Sequence, residues 1–408
     1  MVTITPTEVS TRKAWMMLGL SMFAAASSTV FINGVAFLIP ALHDDHGMGL
    51  DQAGVLAAMP TIGLMLTLIA WGAVVDRIGE RRVLVAGTAL TAVAAVGAAL
   101  ASGYLAVGAC LLVGGMAAGS TNSASGRVVA GWFPAHRRGT AMGIRQMAQP
   151  LGVAVGAMAV PPIAGHFGIG TAFLLPAGVN VVAALACLVG VIDPPRPARS
   201  TETRDGALDN PYRQSNALWR IHAVSVLLVV PQFTVWTFAL VWLMSDRHLS
   251  APAAGVVVVV SQILGALGRM GAGIWSDRAG SRMRPLRTVA IAAAVAMALL
   301  ALTDQLSSPA SIALLVIASV ITVADNGLAF TAVAEISGPY WSGRALGAQN
   351  TSQYLTASVV PPLFGAIIGT FGYPLAFLAT ALCPILAVPL VPVERRPRQP
   401  DAERAVPN

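Results

Sequence analysis

The stretch GAVVDRIGERR, Gly72 to Arg82, joins two apolar runs, 51–71 and 83–101, through a short turn crowded with a carboxylate, arginines and glycine. A related stretch, GIWSDRAGSRMR, runs from Gly273 to Arg284. Gly72, Asp76, Arg77 and Gly79 fall on Gly273, Asp277, Arg278 and Gly280 at an offset of 201 positions. A pattern repeated half a chain apart implies an internal duplication.

The composition says what is duplicated. The 408 residues are 56% hydrophobic and 11% charged, with a mean hydropathy of +0.72. Soluble domains carry about a quarter charged residues, so a soluble fold would have almost no solvated surface. Runs of about 20 apolar residues span the hydrocarbon of a bilayer, where only helices and closed barrels satisfy their backbone. The runs here have helix length and do not alternate, so the fold class is an all-α membrane bundle. The net charge of +7 invites a nucleic-acid reading. The arginines, however, sit in short turns between apolar segments, as topology signals do, and nucleic acid is excluded as a partner. Cys110, Cys187 and Cys383 lie inside apolar runs without metal-ligand spacing. The first run, behind Arg12 and Lys13, reads as a retained helix and not a signal peptide. No Gly-rich loop leads into Lys-Ser or Lys-Thr, and neither HExxH nor GxSxG occurs. No enzyme chemistry, cofactor or metal is expected.

Twelve helices are predicted, near 14–42, 51–75, 82–101, 104–130, 139–164, 170–192, 217–244, 252–275, 285–303, 309–333, 343–368 and 372–392. They divide into an N-terminal six-helix bundle (14–192) and a C-terminal one (217–392). Between them lies a polar linker, 193–216, and a charged tail follows at 393–408. With a cytoplasmic N-terminus, Arg77, Arg81, Arg82, Arg137, Arg138, the linker arginines, Arg278, Arg282, Arg284, Arg287 and Arg344 all face the cytoplasm. The opposite turns hold Arg247 with Asp44, Asp45, Asp51, Asp246 and Asp304. The positive-inside rule favours that orientation.

A second duplication runs at an offset of 204. Gly139, Ala141, Gly143, Gly165, Gly168, Ala172 and Phe173 meet Gly343, Ala345, Gly347, Gly369, Gly372, Ala376 and Phe377, and Asn122 meets Asn326. Both copies begin on the same side, so the repeats are parallel, a relation found between transporter halves that alternate access to a central site.

The chain thereby resembles the major facilitator superfamily, whose motif after the second helix is G-x-x-x-D-R-x-G-[RK]-[RK]. Glu80 and Ser281 stand where a base is usual. The resemblance implies a gate latch in which the motif aspartate meets the start of a later helix, where an anion is stabilised. Gly72, Asp76, Arg77 and Gly79 take that role, with Gly273, Asp277, Arg278 and Gly280 as the pseudo-symmetric set and Arg269 one turn before Gly273. Arg81, Arg82, Arg282 and Arg284 are expected only to solvate their turns. The family's helices 1, 4, 7 and 10 line a central cavity, which implies wall positions for Asn33, Asn122, Gln232, Trp236 and Asn326.

Polar groups inside the apolar runs carry the functional reading. Arg145 lies six positions beyond Gly139, roughly 9 Å into its helix, where an arginine is costly unless it pairs, snorkels or faces a cavity. Gln146 and Gln149 accompany it, Pro150 frees a backbone carbonyl nearby, and Gln349 and Asn350 occupy the duplicated position. A lone cation among amides suits a carboxylate or similar anion. Asp325, well inside its run, is a candidate proton carrier, with Glu335 as a second. The expected function is transport of a small anionic solute across the cytoplasmic membrane by a monomer, coupled to protons. The alternative is proton-coupled efflux of apolar or cationic compounds. That branch often carries an arginine early in helix 4, where this chain reads Ala109-Cys110-Leu111-Leu112.

Overall fold

The computed structural model describes residues 11–44, 48–194 and 209–393. Most of the expected linker, nearly all of the C-terminal tail, residues 1–10 and Asp45 lie outside the described residues. Ten helices among the described residues are long and apolar enough to cross a membrane. They are α1 (Thr11–Leu38), α2 (Gln52–Ile78), α3 (Glu80–Leu100), α4 (Tyr104–Trp132), α5 (Ala135–Phe167), α6 (Ile169–Gly190), α7 (Ala217–Ser245), α8 (Pro252–Ala279), α9 (Met283–Gln305) and α10 (Ala310–Leu390). Large apolar side chains lie on their outer faces: Leu66 is 68% exposed, Leu105 82% and Val189 86%. Such a belt suits lipid contact and not water. The protein is an all-α, multi-span membrane protein.

A continuous helix of 81 residues, the length of α10, would extend about 120 Å at 1.5 Å per residue. A bilayer core is about 30 Å thick. The run is in fact broken twice, at Gly338 (φ 68°, ψ 177°) and Gly372 (φ 84°, ψ 172°). The sequence left 334–342 between two predicted helices; the structure turns the chain at one residue. Gly338 adopts a positive φ without a Cβ penalty, and Pro339 then starts the next segment with φ already set for a helix. The three segments of α10 are 310–337, 339–371 and 373–390. Gly168, which the offset of 204 places on Gly372, has nearly the same backbone conformation (φ 85°, ψ 161°).

Two pairs of helices cross with their backbones in close approach. A Cβ on Gly72 would run into the carbonyl of Gly343, and one on Gly273 into the carbonyl of Gly139. One turn along, Gly347 lies against the Leu68 carbonyl and Gly143 against that of Arg269. So α2 packs on the second segment of α10 as α8 packs on α5, and the residues in contact are those that the two offsets equate. Small residues at such crossings let helix backbones meet.

Helix α5 is not continuous. It runs Ala135–Arg145, breaks at Gln146 and Met147, and resumes as Ala148–Phe167. Pro150 has no N–H to give the carbonyl of Gln146, which accounts for the break.

Candidate functional site

Helices α1, α4 and α5 present polar side chains three or four positions apart, the spacing of one helical face. The central cavity is lined by Thr29 and Asn33 of α1 and by Thr121, Asn122 and Ser125 of α4. Helix α5 contributes Arg145, Gln146 and Gln149, α7 contributes Gln232 and Phe233, and α8 contributes Arg269. The first segment of α10 adds Asn326 and Phe330, and the second adds Asn350, Gln353 and Tyr354. Among the described residues, no carboxylate lines the cavity.

Arg145 is 4% exposed. Its Nε donates to Ser125 Oγ at 2.8 Å, one terminal nitrogen to Gln146 Oε1 at 2.8 Å, and the other to the Asn122 carbonyl at 2.8 Å. The guanidinium carbon lies 5.6 Å from the Phe330 ring centroid. All these partners are neutral, so they orient the fork without cancelling its charge. Amide contacts continue on the other side: Asn326 donates to Gln232 at 3.0 Å, and Gln353 donates to Asn326 at 3.1 Å.

Arg269 also lines this cavity, so the structure moves it from the gate, where the sequence suggested it, to the central site. Its Nη1 donates to the Gln146 carbonyl at 3.3 Å, the carbonyl that Pro150 leaves without a helical donor. Its guanidinium carbon is 5.5 Å from the Trp236 ring. Trp236 therefore backs a cavity residue without lining the cavity itself. Gln349 also lies off the wall. It is fully buried, bonded to His222 and Ser225. His222 in turn meets Tyr212 at 2.8 Å, whose hydroxyl burial pushes up to about 12. Gln353, Tyr354, Ser125 and Phe330 went unremarked in the sequence. The first two lie three and four positions beyond Asn350, a spacing that could have flagged them.

Asp325 is 1% exposed and lies behind the wall. Neither carboxylate oxygen receives a side-chain hydrogen bond. Arg269 is the opposite charge that acts on it.

At the end of the bundle that carries the duplicated motif, two carboxylates each cap a helix start. Asp76 accepts from the backbone N–H of Gly343 at 2.9 Å and of Arg344 at 3.1 Å. Asp277 accepts from the N–H of Gly139 at 2.9 Å and of Thr140 at 2.7 Å. The charges that hold them are not the arginines that directly follow them in the motif. Arg77 and Arg278 are exposed. Asp76 pairs instead with Arg127, which also binds the fully buried Glu80 at 2.8 Å. Asp277 pairs with Arg282 at 2.6 Å, and Arg282 also meets Glu335 at 3.1 Å. Burial opposes the charge on Arg282, but Glu335 and Asp277 outweigh it and leave its pKa raised. Glu80, the departure from the family motif, thus supplies a buried counter-charge, and Arg282 does more than solvate a turn. Glu335 sits in this ion-pair cluster, 3.7 Å from Arg138, away from the cavity. Gly79 (φ 100°) and Gly280 (φ 57°) make the turns behind the two carboxylates.

A sequence profile described as Major Facilitator Superfamily matches residues 17–361. An uncharacterised MFS-type transporter of Mycobacterium tuberculosis is 51% identical over 392 residues, 96% of this chain and 87% of the relative. The hexuronate transporter of Bacillus subtilis is 24% identical over 60% of each chain. Among solved structures, the proton:xylose symporter XylE superposes with a TM-score of 0.74 at 16% identity, covering 92% of this chain and 94% of that one. The profile spans most of the chain and the mycobacterial relative nearly all of it. The chain belongs to the major facilitator superfamily, and it is a secondary transporter, not an enzyme.

Proposed function

We propose that the protein carries a small anionic solute across the cytoplasmic membrane by alternating access, coupled to protons through Asp325. The reading treats the chain as a monomer of twelve spans in halves 14–192 and 217–392, with the break at Gly338 on the latch side and that at Gly372 on the opposite side dividing α10 into three of them. The linker and both termini are cytoplasmic, so the two closed carboxylate latches close the cytoplasmic side.

The observation that carries the anion is Arg145, buried in the cavity with neutral partners only. A charge kept at such a depth, with no carboxylate on the surrounding wall, calls for an anion from outside the protein. The fork of donors matches a carboxylate. The relative named for hexuronate, itself a carboxylate, is consistent with this chemistry, and the symporter with the same fold is consistent with proton coupling. Asp325 fits a proton carrier because it is buried, lacks side-chain donors and faces Arg269, a cavity residue.

A screen of labelled anions in proteoliposomes would identify the best ligand, whose affinity would then be compared in the wild type, R145K and R145Q. A charge-assisted hydrogen bond contributes about 1.5–3 kcal/mol. Affinity should therefore fall about 10-fold in R145K, which loses the fork, and on the order of 100-fold in R145Q. Unchanged anion affinity in a well-folded R145Q would reject the assignment. Efflux of apolar cations predicts the reverse, with R145Q binding its substrate as well or better.

A further inference from the structure

Arg145 and Arg269 converge on one residue. Arg145 donates to the Gln146 side-chain oxygen at 2.8 Å, and Arg269 donates to the Gln146 backbone oxygen at 3.3 Å. The first comes from α5 and the second from α8, and the pairing exists because Pro150 breaks α5 and leaves that carbonyl open. Both arginines are 4% exposed and line the same cavity. Arg269 Nε is buried without a hydrogen-bond partner, so this side chain has donor capacity that the protein does not use. Its opposite charge, Asp325, acts on it without closing an ion pair, since neither Asp325 oxygen has a side-chain partner. Two cations held within the span of one glutamine repel each other, and when Asp325 carries its proton a single monoanion neutralises only one of them.

We infer that Arg145 and Arg269 form a two-point clamp for a solute bearing two negative charges a few ångströms apart, the chemistry of a short dicarboxylate. The inference rests on the anion reading above and deepens it. Gln146 sets the distance between the two forks, and Trp236 holds the Arg269 guanidinium from behind. The clamp spans both helix sets, so the doubly charged solute ties α5 to α8 across the cavity.

The test uses the purified full-length protein and the thermal stabilisation that a ligand of the native state confers. Malonate, succinate and glutarate are compared with their half-amides, which match them in size and lack one charge; inorganic phosphate is a third probe. The clamp predicts that at least one diacid binds 10-fold or more tightly than its half-amide, a difference of one charge-assisted contact. R269Q should erase that preference, and R145Q should weaken both diacid and half-amide. Phosphate binding tighter than any diacid overturns the dicarboxylate assignment. Equal binding of diacids and half-amides to the wild type overturns the clamp. If R145Q then weakens both, the single-anion reading survives alone. If none of these anions stabilises the protein, the clamp falls, and the single-anion reading is decided by the screen of labelled anions. The wild-type comparison needs no variant, so it decides the matter even if R269Q does not fold.

Discussion

Asp325 and Asp76 are both buried carboxylates, and their surroundings give them different work. Asp76 is satisfied by two helix-end N–H groups and Arg127, whereas Asp325 has no side-chain donor at all. A carboxyl can couple transport only by changing protonation, and an amide cannot do so. Asp325→Asn should therefore abolish accumulation driven by a proton gradient while leaving solute exchange at equal pH on both sides. Proton-driven accumulation by D325N at the wild-type level would remove Asp325 from the mechanism. At Asp76, losing the negative charge weakens contacts of about 1.5–3 kcal/mol, so D76N should favour opening of the motif end by on the order of 10–100-fold. Transport rate would fall several-fold at normal protein level; normal transport by D76N would reject the latch. The sequence made both aspartates legible, Asp76 by motif and Asp325 by its place in an apolar run. It did not reveal Arg127 and Glu80 as the partners of the first latch, because ion pairs across separate helices leave no local spacing to read.

The helices and their crossings were legible because hydrophobic length and duplicated glycines both survive in one dimension. Gly72, Gly139, Gly273 and Gly343 stood out as repeats, and each proves to sit where two backbones meet. The break in α5 was half legible: Pro150 announced a free carbonyl, but its use by Arg269 depends on a helix more than a hundred residues away. The turn at Gly338 fell between two predicted helices and was not placed on that residue, since one glycine followed by proline can reverse direction with no polar stretch. These crossings give a prediction at their own scale. Gly343→Val would drive a branched side chain into α2 at Gly72 and crowd Asp76, so α2 and α10 could not close. Small-to-large changes in packed positions cost about 1–3 kcal/mol. A population shift on the order of 10-fold or more toward an open motif end follows, read as faster labelling of a cysteine placed on that face of the cavity. Labelling at the wild-type rate in a folded G343V protein would show that the crossing does not govern closure.

Across the whole molecule, orientation depends on how the arginines are shared between its two ends. The end that carries the duplicated motif has Arg127 and Arg282 tied up in latches, yet Arg77 and Arg278 remain exposed there, free to interact with the charged surface of a membrane. At the other end, Arg247 is not free: it pairs with Asp304, which also accepts from Trp242 Nε1 at 3.0 Å. The one basic residue that the sequence placed in those turns thus pairs with a buried acid inside the protein. The proposed orientation follows the positive-inside rule, with the motif end, the linker and both termini on the cytoplasmic side. Single cysteines at positions 47 and 205, in a background without Cys110, Cys187 and Cys383, would report this through an impermeant thiol reagent. Position 47 should label on intact cells, and position 205 only after permeabilisation. Labelling of 205 from outside would invert the orientation. The closed latches would then lie on the outer face, and the cavity would be sealed from the outside and not from the cytoplasm.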